Sequence, residues 1–232
     1  MYVPSLSKSN FYIKDSLIPQ CKIYTTKNFH LNEKCLMLIQ GTGNVRAGLW
    51  ARSVCINEDI NHGSMYPYIE KALQNNFSVI ILNPNERYGF GTQKKKRIQE
   101  LPSMESHCLY VYHNIIQKNQ NIKSIYIVAH SMGGECTIQI LKNNENDLLN
   151  GKIKKIAFTD SVHGSSYLHL SKEGQAKLRE IGRDYIACSY SLGQAIVESK
   201  YNNGVNKYSS GHSKHEYTSG YAIEEIFKFF NE

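Results

Sequence analysis

Residues 124–134 read Ser124-Ile-Tyr-Ile-Val-Ala-His-Ser131-Met-Gly-Gly134, and this stretch decides the fold. Ile125 to Ala129 form a short apolar, largely β-branched run, which predicts a strand buried on both faces. A helix is expected to begin after Ser131, so the chain must reverse within a few residues and leave that serine at the tip of the turn. A serine so placed takes a strained backbone conformation, and the positions two residues to either side must be small. They are Ala129 and Gly133. An ordinary Ser-Gly turn after a buried strand would need none of this, whereas a nucleophile elbow needs the strand, His130-Ser131 and Gly133-Gly134 in that order.

Working outward, other apolar runs repeat the pattern. Cys35 to Ile39 and Phe77 to Leu82 read as buried strands, Ile153 to Thr159 as a further strand, and Tyr185 to Cys188 and Val205 to Ser209 as shorter ones. Between them lie amphipathic segments. A helix is expected from about Ser64 to Leu73 with Pro67 in its first turn, another capped by Ser103, one after the elbow, one over Ser171 to Ile181, and a last one capped by Ser219. Phe11 to Ile13 and Cys21 to Tyr24 read as an edge hairpin. Alternating strands and helices imply an α/β fold with a mainly parallel central sheet covered on both faces, and the elbow at Ser131 suits a three-layer α/β-hydrolase-like form of it. Residues 1–20 read as an N-terminal extension or edge hairpin and 21–232 as one domain.

Composition narrows the class. Hydrophobic content of 41% with 20% charged residues is that of a globular protein, and no apolar run reaches membrane-spanning length. No membrane association is expected, and the chain reads as intracellular. The six cysteines are scattered without C-x-x-C or zinc spacing, so reduced core thiols are expected, and neither a metal nor another cofactor. A net charge of +7 permits an acidic partner, yet RRM, KH and zinc-knuckle signatures are missing and direct nucleic-acid binding is not expected.

The strand ends supply candidate chemistry. Acyl transfer by a serine needs a histidine to accept its proton and an acid to orient that histidine, in chain order Ser, acid, His for this fold. Asp160 ends the strand Ile153 to Thr159, and His215 lies between the last strand and the final helix. Asp184 and Glu198 are the substitute acids, and His130, His163 and His212 rival His215 as base. Oxyanion donors are expected from the Met132 N–H and from the Gly41-Thr42-Gly43 loop, where glycine lets backbone approach a ligand. Arg46, Arg52 and Trp50 suit either an anionic or planar substrate or a structural arginine–tryptophan stack. Lys94-Lys-Lys-Arg97 reads as a solvated loop, a nuclear import signal or a phosphate contact.

These residues carry a resemblance. The run Gly41-Thr-Gly-Asn-Val-Arg-Ala-Gly-Leu-Trp-Ala-Arg-Ser-Val-Cys-Ile-Asn-Glu58 is joined by Gly63-Ser64, Pro67-Tyr-Ile69 and Val79-Ile-Ile-Leu-Asn-Pro-Asn85. Val128-Ala-His-Ser-Met-Gly-Gly134, Ala157-Phe-Thr-Asp-Ser-Val-His163 and Lys214-His-Glu-Tyr-Thr-Ser219 complete the set. From about Cys21 to the C-terminus the chain resembles the Argonaute-binding (Arb-two) domain family, which includes cotranscriptional regulators and the C-terminal domain of fungal class II histone deacetylases. The resemblance implies an α/β-hydrolase fold with its elbow at Ser131, motif positions at Asp160 and His215, and a nuclear or cytoplasmic setting among Argonaute or chromatin-associated proteins. It implies either a serine hydrolase acting on an ester, thioester or amide, or a non-catalytic scaffold with a vestigial pocket. Gln40 departs from the commoner His-Gly start of the oxyanion loop, and Gly193 stands where an acid after the seventh strand would be.

Overall fold

The computed structural model describes residues 6–9, 21–27, 29–86, 88–89, 96–97, 102–197 and 202–232. Among the described residues ten strands form, β1 Leu6–Ser9, β2 Ile23–Thr26, β3 Lys34–Ile39, β4 Ser78–Ile81, β5 Tyr88–Gly89, β6 Lys96–Arg97, β7 Ser124–His130, β8 Ile153–Thr159, β9 Gly182–Ile186 and β10 Asn206–Ser209. Eight of them make one sheet in the order β1-β2-β4-β3-β7-β8-β9-β10. From β4 to β10 every neighbouring pair is parallel, and β1 and β2 run antiparallel at one edge. This is the α/β-hydrolase order, with the elbow strand β7 at its centre.

Period-two alternation assigns the two faces. Cys35, Met37 and Ile39 of β3, with Ile125, Ile127 and Ala129 of β7, enter a core under α4 (Met104–Val111), α5 (Met132–Asn143) and α7 (Lys172–Ile181). Leu36 and Leu38, with Val128 and Ala157, face the opposite core under α3 (Tyr66–Gln74) and α9 (Ile223–Phe230). Each fully buried branched aliphatic on these faces contributes about 1.5–3 kcal/mol of transfer free energy, so the long apolar runs rather than their caps hold the layers together. Caps set the helix starts. The Ser103 hydroxyl accepts the Ser106 N–H at 3.2 Å while the Ser106 hydroxyl accepts the Ser103 N–H at 2.9 Å, and Ser171 caps α7 through the Gly174 N–H at 3.0 Å.

Several expectations shift. The hairpin partner of β2 is β1, and Phe11 to Ile13 lie outside the described residues. Short helices complete the set among the described residues, α6 Glu145–Leu149, α8 Thr218–Tyr221 and, after the glycine-rich loop, α1 Arg52–Asn57 and α2 Ile60–Gly63, with α2 capped by the Asp59 carboxylate on the Asn61 and His62 N–H groups. Ser219 does not cap the last helix. It sits inside the one-turn helix Thr218–Tyr221, and Ala222 precedes α9, because the Ser219 hydroxyl is committed to Thr159 at 2.7 Å. Within 94–97 only Lys96 and Arg97 are described, paired as β6 with β5, and Lys94 and Lys95 lie outside. Among the described residues no helix is long and apolar enough to cross a membrane, no His, Cys, Asp and Glu cluster could hold a metal, and all six cysteines are free.

Candidate active site

At the end of β7 the chain turns through Ser131 with φ 52° and ψ −119°, a left-handed conformation that costs a non-glycine residue about 1–3 kcal/mol. Surrounding bonds over-determine it. The Ser131 N–H donates to the Thr159 carbonyl at 3.1 Å, and its own carbonyl accepts the Gly134 N–H at 3.0 Å and the Val162 N–H at 3.3 Å. Glycine at 133 is obligatory, since a Cβ there would stand 2.5 Å from the Ile39 carbonyl oxygen. The elbow therefore packs directly on the end of β3, where the glycine loop begins.

That loop touches the serine. A Cβ on Gly41 would lie 2.9 Å from the Ser131 Cβ, so only glycine permits this approach. The Asn85 amide donates to the Gly41 carbonyl at 2.8 Å and to the Val45 carbonyl at 3.1 Å, clamping the loop. With the Gly41 carbonyl turned to Asn85, the Thr42 N–H on the same trans peptide plane points the other way. Met132 opens α5, so its N–H has no partner within the helix. Asn85 went unrecognised in the sequence because Asn83-Pro84-Asn85 reads as a strand stop.

Asp160 and His215 meet. The His215 Nδ1–H donates to Asp160 Oδ2 at 2.6 Å, and the Ala187 N–H donates to Asp160 Oδ1 at 3.2 Å. Asp160 is itself left-handed, φ 48°, with its N–H on the Tyr185 carbonyl at 3.0 Å. Burial alone would raise the Asp160 pKa, but the His215 and Ala187 bonds together outweigh it and bring the carboxyl below its usual value. The Asp160 bond raises the His215 pKa against the opposing effect of burial. With its proton on Nδ1, neutral His215 keeps a free lone pair on Nε2, the state a general base requires. No hydrogen bond joins the Ser131 hydroxyl to His215 among the described residues.

The rival residues are otherwise engaged. His212 stacks on Tyr217 with centroids 4.2 Å apart and accepts the Lys214 N–H at 3.1 Å. His130 is buried beneath His215, ring centroids 4.6 Å apart, and donates Nδ1–H to the Thr159 carbonyl at 2.9 Å. Burial first, then repulsion from His215, push its pKa down to about 4, so it remains neutral. His163 is held between Ser161 and the Asn203 carbonyl. Asp184 is buried and hydrogen-bonds no imidazole among the described residues; its carboxyl group is bonded to the Ser161 N–H and the Asn203 amide, and burial raises it to about 7 against those two bonds. Glu198 lies outside the described residues.

Trp50 corrects the substrate-binding expectation. It is 1% exposed and packs edge-on against Tyr68 at 5.2 Å, because the indole is the largest apolar group available to fill the core under α3. Neither Arg46 nor Arg52 stacks on it, and both are exposed, with Thr42 and Gly43 of the loop. Gln40 is fully buried with both amide atoms unpartnered among the described residues.

Known proteins resemble this chain over most of its length. A cotranscriptional regulator ARB2A homolog of Xenopus tropicalis is 33% identical over 264 residues, covering 92% of this chain and 62% of the relative. The homolog of Dictyostelium discoideum is 34% identical, covering 90% and 62%. The chain thus spans about three fifths of the length of these relatives. Among solved structures, a histone deacetylase from Saccharomyces cerevisiae superposes with TM-score 0.59 at 10% identity, covering 97% of this chain and 90% of that one. The 2-hydroxy-6-oxo-6-phenylhexa-2,4-dienoate hydrolase of Rhodococcus sp. strain RHA1 gives 0.52 at 11%, covering 98% and 99%. At these identities the structures speak for the fold, which is that of the α/β hydrolases. Residues 14–190, which include Ser131 and Asp160, match the Arb2 domain, and the chain belongs to the Arb2 domain family.

Proposed function

We propose that Ser131, His215 and Asp160 form a serine-hydrolase centre that acts on an ester, thioester or amide carbonyl. The observation that carries this reading is the 2.6 Å bond between His215 and Asp160, made beside a left-handed serine at the head of a helix. In this reading Ser131 attacks the carbonyl, Nε2 of His215 takes the hydroxyl proton and later returns it to the leaving group, and Asp160 steadies the imidazolium. The Met132 N–H and an N–H of the Gly41 to Gly43 loop receive the developing oxyanion. Ser131 and His215 come into hydrogen-bond contact when substrate binds, as in many unliganded sites. Arg46, exposed on the same loop, contacts an anionic portion of the substrate.

A fluorophosphonate tests it. A competent centre forms one covalent adduct, at Ser131, located by peptide mass spectrometry and lost in Ser131→Ala. If the wild-type protein gains no adduct while a control hydrolase labels fully, the centre is not catalytic.

A second reading is favoured by the relatives' description as cotranscriptional regulators. Under it the domain, residues 21–232, is a scaffold in gene silencing that joins Argonaute or chromatin-associated proteins in the nucleus or cytoplasm, and the pocket is vestigial. Lys94 to Arg97 then serve nuclear import. Replacing all four by alanine reduces nuclear accumulation in cells, and unchanged partitioning of that variant removes the import role.

A further inference from the structure

Two residues of the segment Asp160-Ser-Val-His163 take no part in the proposed chemistry, yet both are fully committed. Asn203 carbonyl oxygen can only accept, so the 2.7 Å contact from His163 Nε2 fixes the proton on Nε2. Nδ1 is then a lone pair, and at 2.6 Å it accepts the Ser161 hydroxyl proton. The Asn203 side-chain amide donates to Asp184 Oδ2 at 2.7 Å, and Asp184 Oδ1 accepts the Ser161 N–H at 3.3 Å. These four contacts close a ring through Ser161, His163, Asn203 and Asp184.

The ring borders the active site on two sides. Asp160 immediately precedes Ser161 and is left-handed, a conformation that persists only where neighbours enforce it. Val162, inside the ring's span, donates its N–H to the Ser131 carbonyl at 3.3 Å, which couples the same loop to the elbow. Ser161 is tightly seated, since a Cβ on Gly134 of α5 would meet its hydroxyl oxygen at 1.7 Å. The His163 ring packs at a 35° tilt against Phe158 of β8 with centroids 4.6 Å apart. His163, Asp184 and Asn203 are all at most 4% exposed, so breaking one bond leaves a buried polar group unpaired rather than rehydrated.

We propose that Ser161, His163, Asn203 and Asp184 are positioning residues, a closed hydrogen-bond ring that holds Asp160 in the conformation from which it grips His215 and holds the acid loop against the elbow. The purpose of the ring rests on the hydrolase reading, but the geometry it enforces does not. Of the histidines that rivalled His215, His163 thus serves the site through the acid's backbone and touches neither Ser131 nor substrate.

The test reads the His215–Asp160 bond directly, by the proton resonance of the His215 Nδ1–H, which a short bond to a carboxylate carries far downfield of ordinary imidazole N–H signals. It uses the full chain and needs no turnover. His163→Phe retains an aromatic ring against Phe158 and deletes two sides of the hydrogen-bond ring, and the resonance is expected to move upfield or broaden away. Tyr112→Phe is the control, since it cuts a partly buried bond to Asp147, 2.7 Å long, that forms no part of the ring, and it is expected to leave the resonance in place. If His163→Phe does not fold, Ser161→Ala removes only the hydroxyl and is expected to give the same displacement. An unmoved resonance in the folded ring variant overturns the proposal, as does an equal displacement in Tyr112→Phe. Failure of the wild type to label with fluorophosphonate while the resonance responds in this pattern refutes the hydrolase reading alone.

Discussion

Replacing Asp160 by asparagine is the sharpest perturbation of the candidate centre, because it is nearly isosteric and its consequence follows from two hydrogen bonds. Asp160 Oδ1 accepts the Ala187 N–H and Oδ2 accepts the His215 Nδ1–H. An asparagine satisfies the fixed backbone donor only by placing its oxygen toward Ala187, which turns its NH₂ group toward His215. Nδ1 must then accept, the imidazole proton moves to Nε2, and the nitrogen meant to deprotonate Ser131 loses its lone pair. Loss of the right tautomer and of the carboxylate that supports the imidazolium costs serine hydrolases about 10⁴ in rate, or about 5.5 kcal/mol of activation free energy. The effect on folding is far smaller. A hydrogen bond to a charged group contributes about 1.5–3 kcal/mol, and with the His215 side chain 43% exposed solvent screening reduces this to about 1 kcal/mol. The assay is the rate of fluorophosphonate labelling at pH 8 beside a urea melt. The expected result is labelling slowed by about 10³–10⁴-fold in a protein destabilised by about 1 kcal/mol. A folded Asp160→Asn protein that labels within about tenfold of wild type refutes the assignment of Asp160, since a lost tautomer cannot cost so little.

Other outcomes follow from the same geometry. The His215 pKa is raised, so labelling falls with acidification through a midpoint above the ordinary imidazole value of about 6.5, and a midpoint below that value contradicts the Asp160 bond. For stability, the raised His215 contributes fully below about pH 6.5 and loses its contribution as pH rises through its folded pKa. The lowered Asp160 contributes above about pH 3.9 and loses its contribution as pH falls through its folded pKa. The pair is therefore most stabilising between about pH 4 and 6.5, and urea melts of wild type and Asp160→Asn should differ most in that window. Gly41→Ala drives a methyl to 2.9 Å from the Ser131 Cβ and displaces the loop held by Asn85, so labelling should slow by about 10–100-fold, with unchanged labelling arguing that the loop is not an oxyanion donor. Tyr112→Phe removes the 2.7 Å bond to Asp147 and should cost about 1–2 kcal/mol in a urea melt while leaving labelling at the wild-type rate.

Much of this protein is written locally. Cys35 to Ile39 and Ile125 to Ala129 are apolar without interruption, and Ile156 to Phe158 continue the pattern beyond Lys154 and Lys155; a strand covered on both faces uses such runs, so the parallel sheet and its elbow follow from the sequence alone. The small residues around Ser131 likewise announce the turn, because steric exclusion acts over a few neighbouring atoms. Side chains brought together from distant strand ends carry no such local mark. His212 and His215 look alike in the sequence, and what separates them is that Tyr217 offers a ring for one to stack on while Asp160, 55 residues away, offers a carboxylate to the other. Trp50 and Ser219 depart from what their local sequence suggests for the same reason, since burial under α3 and a bond to Thr159 depend on which elements pack above them. Asp160 takes a left-handed backbone, and Ser161 and His163 close a ring with Asn203 and Asp184, only because β8 and β9 lie side by side. Periodicity reports which face of an element leaves water, and it does not report which partner waits there; that is decided when the sheet closes and each buried donor must find an acceptor.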